Sequence, residues 1–252
     1  MARNKKKGLS LNGNEHIPYS YIWTKEKPIS FITESYQKFL ANLEYVNVDK
    51  KYQAVQVTSS LTSEGKTTFL ANIAYLLAQK GHKTILIDLD LRKPKVHMIY
   101  DVENKDGMTD ILADRITYEK AIQTNKDLGF DCITSGEKTT AVINLLESKK
   151  MKALMKTLKE SYDYILVDSP PVINVSDALY ISKLTDAVVF VVAQSQTKRG
   201  VVKEAVSLLK QNHVNVIGSV VTQVDLKKNG YGYGYGYGYG YGYDYTYEES
   251  ND

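Results

Sequence analysis

Residues 59 to 68 read Ser59-Ser60-Leu61-Thr62-Ser63-Glu64-Gly65-Lys66-Thr67-Thr68. An apolar run at 54–57 precedes them and predicts a short buried strand, and a helical pattern follows that ends at Gly81. A small-residue loop between strand and helix is typical of a phosphate-binding loop, because backbone N–H groups and the helix N-terminus converge on the anion. Lys66 is expected to neutralise phosphate oxygens, and the Thr67 hydroxyl is expected to bind Mg²⁺. The loop departs from the G-x-x-x-x-G-K-[ST] pattern at Ser60, which replaces the first glycine.

The composition is that of an ordinary soluble globular protein, with 43% hydrophobic and 24% charged residues in a chain of 252. A net charge of +3 is too small to indicate a nucleic-acid partner, and a solvated terminus explains the basic cluster at 3–7 better than a membrane contact does. The single cysteine, Cys132, fits a reducing cytoplasm, and its strand-like surroundings predict a buried structural thiol. No apolar run approaches the ~18–20 residues of a membrane span, so we expect a soluble, cytoplasmic protein.

Strands and helices alternate along most of the chain. The predicted strands are 54–58, 83–88, 130–134, 164–168, 187–192 and 216–222, and the predicted helices are 31–47, 67–80, 108–113, 141–160, 175–184 and 199–212. Several of these strands are almost entirely apolar, as in a parallel sheet covered on both faces. The pattern predicts a doubly wound, mainly parallel α/β sheet with a P-loop NTPase fold. We expect an extended N-terminal arm at 1–30, a domain at 31–228 and a flexible tail at 229–252.

Acidic residues follow two of the buried strands. Asp88 and Asp90 come after one apolar run, and Asp168 comes after another. A carboxylate at a buried strand end has lost water and needs a compensating charge or hydrogen bond. Since ligands bind α/β sheets at the carboxyl ends of the strands, these residues and Lys66 together indicate a Mg²⁺–nucleotide site. The alternation of a strand end would direct Asp88 and Asp90 the same way, toward the γ-phosphate. A helix cap is the alternative for a single aspartate, and it explains Asp177.

The C-terminal segment alternates glycine and tyrosine from Gly230 to Tyr243. The nine tyrosines of this tyrosine tail are Tyr231, Tyr233, Tyr235, Tyr237, Tyr239, Tyr241, Tyr243, Tyr245 and Tyr247. A period of two is strand-like, but glycine at every second position gives up packing and costs backbone entropy. We therefore predict a flexible, exposed tail. By composition alone, the tail would be interpreted as a segment for adhesion or assembly. The adjoining nucleotide site makes a function linked to that site the better interpretation.

These motifs together resemble those of the bacterial tyrosine kinases, specifically the Gram-positive cytoplasmic type that works with a separate membrane adaptor in capsule or exopolysaccharide synthesis. The matching runs are 58–67 as Walker A, 87–94 as Walker A′ and 167–171 as Walker B, together with the tyrosine tail. The resemblance implies that ATP and Mg²⁺ occupy the loop and that the γ-phosphoryl group passes to tyrosines of the tail. Positioning and charge neutralisation dominate such a transfer.

The resemblance also assigns roles to individual residues. The implied catalytic residues are Lys66, Asp88, Asp90 and Asp168, and the implied metal ligands are Thr67, Asp88 and Asp168. The implied nucleotide-binding residues are Ser60, Ser63, Glu64, Gly65, Lys66, Thr67, Thr68 and Arg92. Lys66 would stabilise charge on the transferred group. Asp88 would orient or deprotonate the tyrosine hydroxyl, with Asp90 in support, because a phenol of pKa ≈ 10 is mostly protonated at pH 7.

The implied partners are a membrane adaptor that activates the kinase and recruits it to the inner face of the membrane, a cognate tyrosine phosphatase, and a possible homo-oligomer. The sequence departs from the family at several positions. Thr62-Ser63 stands where Pro-Gly is usual, Gln37 and Leu40 stand where relatives have arginines that build a ring, and Thr222 stands where related ATPases read adenine with asparagine.

Two other functions fit part of the sequence. A partitioning-type P-loop ATPase carries a signature lysine where this chain has Leu61. A nucleotide-gated scaffold would use the tyrosine tail for binding and transfer no phosphate. Labelling of the tail by γ-labelled ATP separates both from a kinase.

Overall fold

The computed structural model describes residues 8–11, 15–18, 20–46 and 52–224. The predicted tyrosine tail lies outside the described residues. In chain order the elements are β1 Gly8–Leu11, β2 Glu15–Pro18, α1 Trp23–Glu26, α2 Phe31–Val46, β3 Ala54–Ser59, α3 Lys66–Gln79, β4 Thr84–Asp88, α4 Val96–Tyr100, α5 Met108–Leu112, α6 Tyr118–Ala121, β5 Gln123–Thr124, β6 Asp131–Ile133, α7 Val142–Glu147, α8 Lys149–Ser161, β7 Tyr164–Asp168, α9 Asp177–Ile181, β8 Ala187–Ala193, α10 Arg199–Gln211 and β9 Val216–Thr222.

Within the described residues the strands form a seven-stranded sheet in the order β5-β6-β4-β7-β3-β8-β9, beside a separate antiparallel pair, β1 and β2. All neighbours in the large sheet are parallel except β5, which runs antiparallel to β6. The chain leaves β3 toward β4 on one side and later reaches β8 on the other, so the winding reverses beside β3. The predicted doubly wound, mainly parallel sheet is confirmed, and its carboxyl edge near β3 is where such folds bind ligands.

Helices cover both faces of the sheet, and alternate residues of each central strand face opposite layers. Leu86 of β4 packs in the layer built by α2 and α3, whereas Ile85 and Ile87 pack in the layer under α5, α7 and α8. Every residue of β3, β4 and β7 is buried. Since both faces of these strands are covered, their sequences are nearly continuous apolar runs.

The helix predicted at 141–160 is two helices, α7 and α8, separated at Ser148. The hydroxyl of Ser148 accepts a hydrogen bond from the Met151 N–H at 3.0 Å and so forms the N-cap of α8. Serine is a favoured N-cap because its side chain satisfies a backbone donor that the helix leaves unpaired. A local side-chain bond therefore outweighs the continuous helical periodicity.

Part of the segment predicted as an extended arm packs against the domain instead. Ile22 is 1% exposed within the core layer of α2 and α3. The backbone N–H of Thr24 donates to Oδ1 of Asn72 on α3 at 2.9 Å. Burial of an isoleucine side chain and a satisfied backbone donor both favour this contact over an extended arm. The domain boundaries themselves stay predictions.

The helix α2 presents different faces at the two positions where the resemblance leads us to expect arginine. Gln37 is exposed, whereas Leu40 is 2% exposed and packs in the core. A leucine that faces the core is unavailable for contacts between subunits, so this position gives no support to ring assembly.

We expect Ile22→Ala to lower the free energy of unfolding by about 2–5 kcal/mol, the usual cost of removing a fully buried isoleucine side chain. Ile29 is 98% exposed and provides a matched control. Its alanine variant should change stability by less than about 0.5 kcal/mol. Urea denaturation of the three proteins measures both values, and equal costs for the two variants would contradict the packing of residue 22.

Candidate functional site

The phosphate loop connects β3 to α3 and is bent by two residues with left-handed backbone. Ser63 has φ 64° and Gly65, the N-cap of α3, has φ 89°. The Phe69 N–H donates to the Gly65 carbonyl at 2.8 Å, which begins the hydrogen bonding of the helix. The preceding N–H groups have no intrahelical acceptor and form the positive end of the helix dipole. Serine at the first left-handed position carries a Cβ atom that glycine lacks, so this backbone conformation costs about 1–2 kcal/mol.

Lys66 lies at the start of α3 with its side chain largely withdrawn from water, since the residue is 7% exposed. Its Nζ donates to the Ser59 Oγ at 3.0 Å, and that hydroxyl donates in turn to the Leu61 carbonyl at 2.7 Å. Burial lowers the pKa of the Lys66 ammonium, and the carboxylates of Asp168 and Asp90 oppose this change. The Lys66 ammonium is thus held at the start of the loop by Ser59, with the carboxylates of Asp168 and Asp90 close enough to affect its pKa.

Thr67 and Asp168 form the second part of the site. The Thr67 hydroxyl donates to Oδ2 of Asp168 at 2.5 Å. Burial raises the pKa of Asp168 to about 6, while Lys66 and the Thr67 hydrogen bond act to lower it. Among the described residues, Oδ1 of Asp168 and Oγ of Ser60 are buried without a hydrogen-bond partner. Buried polar atoms are rarely left unpaired, so a ligand that supplies their partner is expected here.

These groups fit a Mg²⁺ ion that is shared with a phosphate. In the described part of the chain no three His, Cys, Asp or Glu side chains are grouped so that they could hold a metal by themselves. Mg²⁺ is usually bound by one or two carboxylates together with substrate phosphates and water. The Thr67 hydroxyl and the unpaired oxygen of Asp168 match that donor set.

Asp88 lies beside Asp168, its direct partner in the parallel pairing of β4 and β7. Its Oδ1 accepts the Asp90 N–H at 3.1 Å, and its Oδ2 accepts the Lys95 and Val96 N–H groups at 2.9 Å each. Burial and the charge of Asp168 raise the pKa of Asp88, and the backbone donors oppose them. The carboxylate therefore anchors the chain between β4 and α4. Its predicted catalytic and metal-binding roles stay predictions.

Asp90 is the less buried of the two carboxylates that follow β4. It is 9% exposed, whereas Asp88 is 0% exposed. In the described part of the chain Asp90 accepts one hydrogen bond, from the Lys93 N–H to Oδ1 at 3.0 Å. Its charge acts on both Lys66 and Asp168. Asp90 thus belongs to the cluster and keeps accepting capacity.

Glu64 holds the phosphate loop from inside the protein. Its carboxylate is 0% exposed and accepts the Leu61 N–H at 2.5 Å and the Ala193 N–H at 3.1 Å. The Thr197 hydroxyl also donates to it. Both carboxylate oxygens of Glu64 therefore accept hydrogen bonds from within the protein. A phosphate contact from this residue would involve its backbone N–H.

The end of β9 holds the same loop from the other side, through contacts that the sequence motifs do not predict. The Thr222 hydroxyl donates to the Glu64 carbonyl at 2.7 Å, and Nε2 of Gln223 donates to the Ser63 carbonyl at 2.8 Å. From the sequence, the resemblance identifies Thr222 only with the position that reads adenine in related ATPases. The sequence does carry one sign of this contact, because polar residues stand at the end of the last predicted strand, where the carboxyl edge of the sheet lies.

Two further predicted residues have contacts of other kinds. Thr68 lies in the first turn of α3, where its carbonyl accepts from Nδ2 of Asn72 at 2.8 Å. The Arg92 guanidinium pairs with Asp177 through Nε and Nη2, at 2.6 and 3.0 Å. Ser176 is the N-cap of α9, so the cap interpretation of Asp177 is wrong and its buried carboxylate serves Arg92 instead. A nucleotide contact from Arg92 stays a prediction.

The chain matches a family model, curated relatives and solved structures. A family model described as an AAA domain matches residues 56–218. The chain is 33% identical to the tyrosine-protein kinase YwqD of Bacillus subtilis strain 168, over 91% of this chain and 94% of that protein. The crystal structure of the chimerical protein CapA2B2 superimposes with a TM-score of 0.78 at 31% identity, over 81% of this chain and 89% of that chain. The kinase domain of the Escherichia coli tyrosine kinase ETK has a TM-score of 0.78 at 25% identity, over 92% and 87%.

We expect Gly65→Ala to weaken ATP binding about tenfold or more, because relief of roughly 1–2 kcal/mol of left-handed strain moves the loop. Gly81 is a matched control: its φ is 87°, close to the 89° of Gly65, and it lies at the other end of α3. Both alanine variants should lose about 1–2 kcal/mol of stability. Only Gly65→Ala should lose affinity in titration calorimetry; equal affinities for the two variants would contradict the role of the loop.

As pH rises from about 4 to about 6, nucleotide-free Asp168→Asn should lose less stability than the parent protein. The folded pKa of about 6 exceeds the ordinary 3.8, so ionisation of Asp168 opposes folding, and a neutral amide removes that penalty. The same change should abolish the rise in melting temperature that Mg²⁺ and ATP give the parent protein.

The exposed Asp127 supplies the control, since Asp127→Asn should alter neither measurement. An undiminished response of the Asp168→Asn protein to Mg²⁺ and ATP would contradict the assigned site.

Proposed function

The chain belongs to the bacterial tyrosine-protein kinases, and on that basis we propose that it transfers the γ-phosphoryl group of ATP to its own tyrosine tail. The observation that carries the proposal is the cluster at the carboxyl edge of the sheet. A buried lysine lies next to a threonine–aspartate pair, and one oxygen of that aspartate has no protein partner within the described residues.

The protein's own groups supply position and charge for this transfer. The loop N–H groups and the start of α3 would hold the phosphates, and Lys66 would neutralise the charge that develops on the transferred group. Thr67 and Asp168 would hold Mg²⁺, which when bound bridges phosphate oxygens and offsets their charge. Burial of the cluster strengthens each of these electrostatic interactions, because a dry site has a lower effective dielectric constant than water.

We assign the contact with the tyrosine hydroxyl to Asp90 in preference to Asp88. The Asp88 carboxylate accepts three backbone N–H groups and is 0% exposed. Asp90 accepts the Lys93 N–H, is 9% exposed and lies close enough to Lys66 to influence its pKa. A carboxylate with spare accepting capacity can orient the phenol and take its proton as the phosphate bond forms.

The tyrosine tail follows β9, whose end lies at the phosphate loop. Thr222 contacts the phosphate loop, and eight residues separate it from Tyr231. A chain spans at most ~3.3–3.6 Å per residue, so these residues reach up to about 30 Å, enough for Tyr231 to return to the loop. A neighbouring molecule's site is equally within the reach of the later tyrosines, so tether length favours neither transfer within a molecule nor transfer between molecules.

The proposed biological role is control of capsular or exopolysaccharide synthesis. Each phosphotyrosine adds about −1.5 to −2 charges, so a phosphorylated tail would be strongly anionic and would repel a like-charged neighbour in a homo-oligomer. A cognate phosphatase would reverse the change. In the described residues no helix has the length and apolarity needed to cross a bilayer. We propose that a membrane adaptor brings the kinase to the inner membrane face, and the chimeric nature of the relative CapA2B2 supports such a partner.

Incubation of the full chain with γ-labelled ATP and Mg²⁺, with and without the cytoplasmic segment of an adaptor, tests the proposal. Label should appear on Tyr231 to Tyr247, and Lys66→Met should reduce it by at least about 10²-fold through loss of charge stabilisation. The exposed Lys152 is the control, and Lys152→Met should label normally.

A variant with all nine tail tyrosines changed to phenylalanine should still bind ATP and should take up no label. Label retained by this variant would place the acceptor elsewhere. Label retained by Lys66→Met would remove the loop from the reaction.

A further inference from the structure

Among the described residues, β9 is the last strand at one end of the seven-stranded sheet, and its outer edge has no partner strand there. No residue of β9 is buried, and Val216 and Val221 are 40% and 56% exposed. By contrast, every residue of β4 and β7 is buried. An exposed apolar strand of this kind offers unpaired backbone groups to another strand.

This edge lacks the usual protection against strand addition. The sequence from Val216 to Thr222 contains no charged residue and no proline, which are common ways of blocking an edge. The irregularity in its pairing lies at its start, opposite Val188 and Val189, so Gly218–Thr222 continues regularly along β8. A further strand could therefore pair along at least this regular part.

The direction of the backbone groups follows from one hydrogen bond. The Thr222 carbonyl accepts the Gln194 N–H at 3.0 Å, so the backbone groups of Thr222 face β8. Since backbone groups alternate in direction along a strand, those of Ser219 and Val221 face the open side. The Ser219 N–H is therefore a donor available to an added strand.

We propose that the tyrosine tail adds to this edge as an antiparallel strand. The tail has strand periodicity over Gly230–Tyr243, carries no charge over that run, and begins eight residues after β9. Asn229-Gly230 at its start is a favoured hairpin turn sequence. With every tyrosine on one face, the rings can cover Gly218 and pack beside Val220, because alternate residues of this regular part of β9 share a face. These contacts offset the entropy cost of the glycines.

Docking of the tail would act on the phosphate loop through β9. The end of β9 holds the loop carbonyls of Glu64 and Ser63 through Thr222 and Gln223. An added strand would order that end and at the same time draw tyrosines along the edge, away from Lys66. In the docked state the tyrosines are held away from the phosphate loop, and in the released state they can reach it. Docking needs no phosphoryl transfer, so it stands or falls separately from the proposed function.

Amide hydrogen exchange of the full chain, without nucleotide and followed by mass spectrometry, tests the docking. Ser219→Pro removes the outward N–H and leaves the β8 side intact, since proline is tolerated at the open side of an edge strand. Tail amides 230–243 should exchange about tenfold faster or more in this variant than in the parent. Ser219→Thr keeps the N–H and is the matched control, with exchange like that of the parent.

Gly236→Pro breaks the tail and leaves the domain unchanged, so it decides the question if Ser219→Pro fails to fold. It should speed exchange at both the tail and β9. Equal tail exchange in the parent and in Gly236→Pro would overturn the proposal. Protection of β9 that depends on protein concentration, and that is lost together with a dimer in sedimentation, would assign the edge to a second copy and overturn it as well.

Discussion

A lysine and carboxylates kept out of water at the carboxyl edge of the sheet impose the main constraint on this protein. Removing such charges from water costs several kcal/mol per ion, and mutual attraction offsets this only in a fixed geometry. Lys66 is held by Ser59, Asp168 by Thr67, and Asp88 by backbone donors around α4. The raised pKa of Asp168 shows that the offset is incomplete in the protein by itself. A bound anion and cation would complete it.

The sheet order explains how these groups meet. β3 lies between β7 and β8, so the phosphate loop emerges beside Asp168 on one side and beside the ends of β8 and β9 on the other. Glu64 and Thr222 use the second side to fix the loop in place. The candidate site and the edge strand β9 are thus joined by direct hydrogen bonds.

The parts of the site that sequence could predict are the local ones. Lys66 and Thr67 follow from a strand, loop and helix pattern within a few residues, and Asp168 follows from an acidic residue at the end of an apolar run. Arg92 and Asp177 form an ion pair although they are 85 residues apart in the sequence. Glu64 and Ala193 form a hydrogen bond although they are 129 residues apart. Such contacts depend on the sheet order, which periodicity does not encode. The burial of Ile22 depends on packing against α2 and α3, which the local sequence around it does not encode either.

Cys132 lies in β6, is 0% exposed and has a pKa raised by burial and by the nearby Asp88. Thiol reagents attack the thiolate, which burial of this kind disfavours. Because the chain has no other cysteine, a cysteine introduced at a surface position would be its sole reactive thiol. Fluorophores or spin labels can therefore be attached at chosen points without first deleting a native residue, and distances within the molecule can be followed in an otherwise natural background.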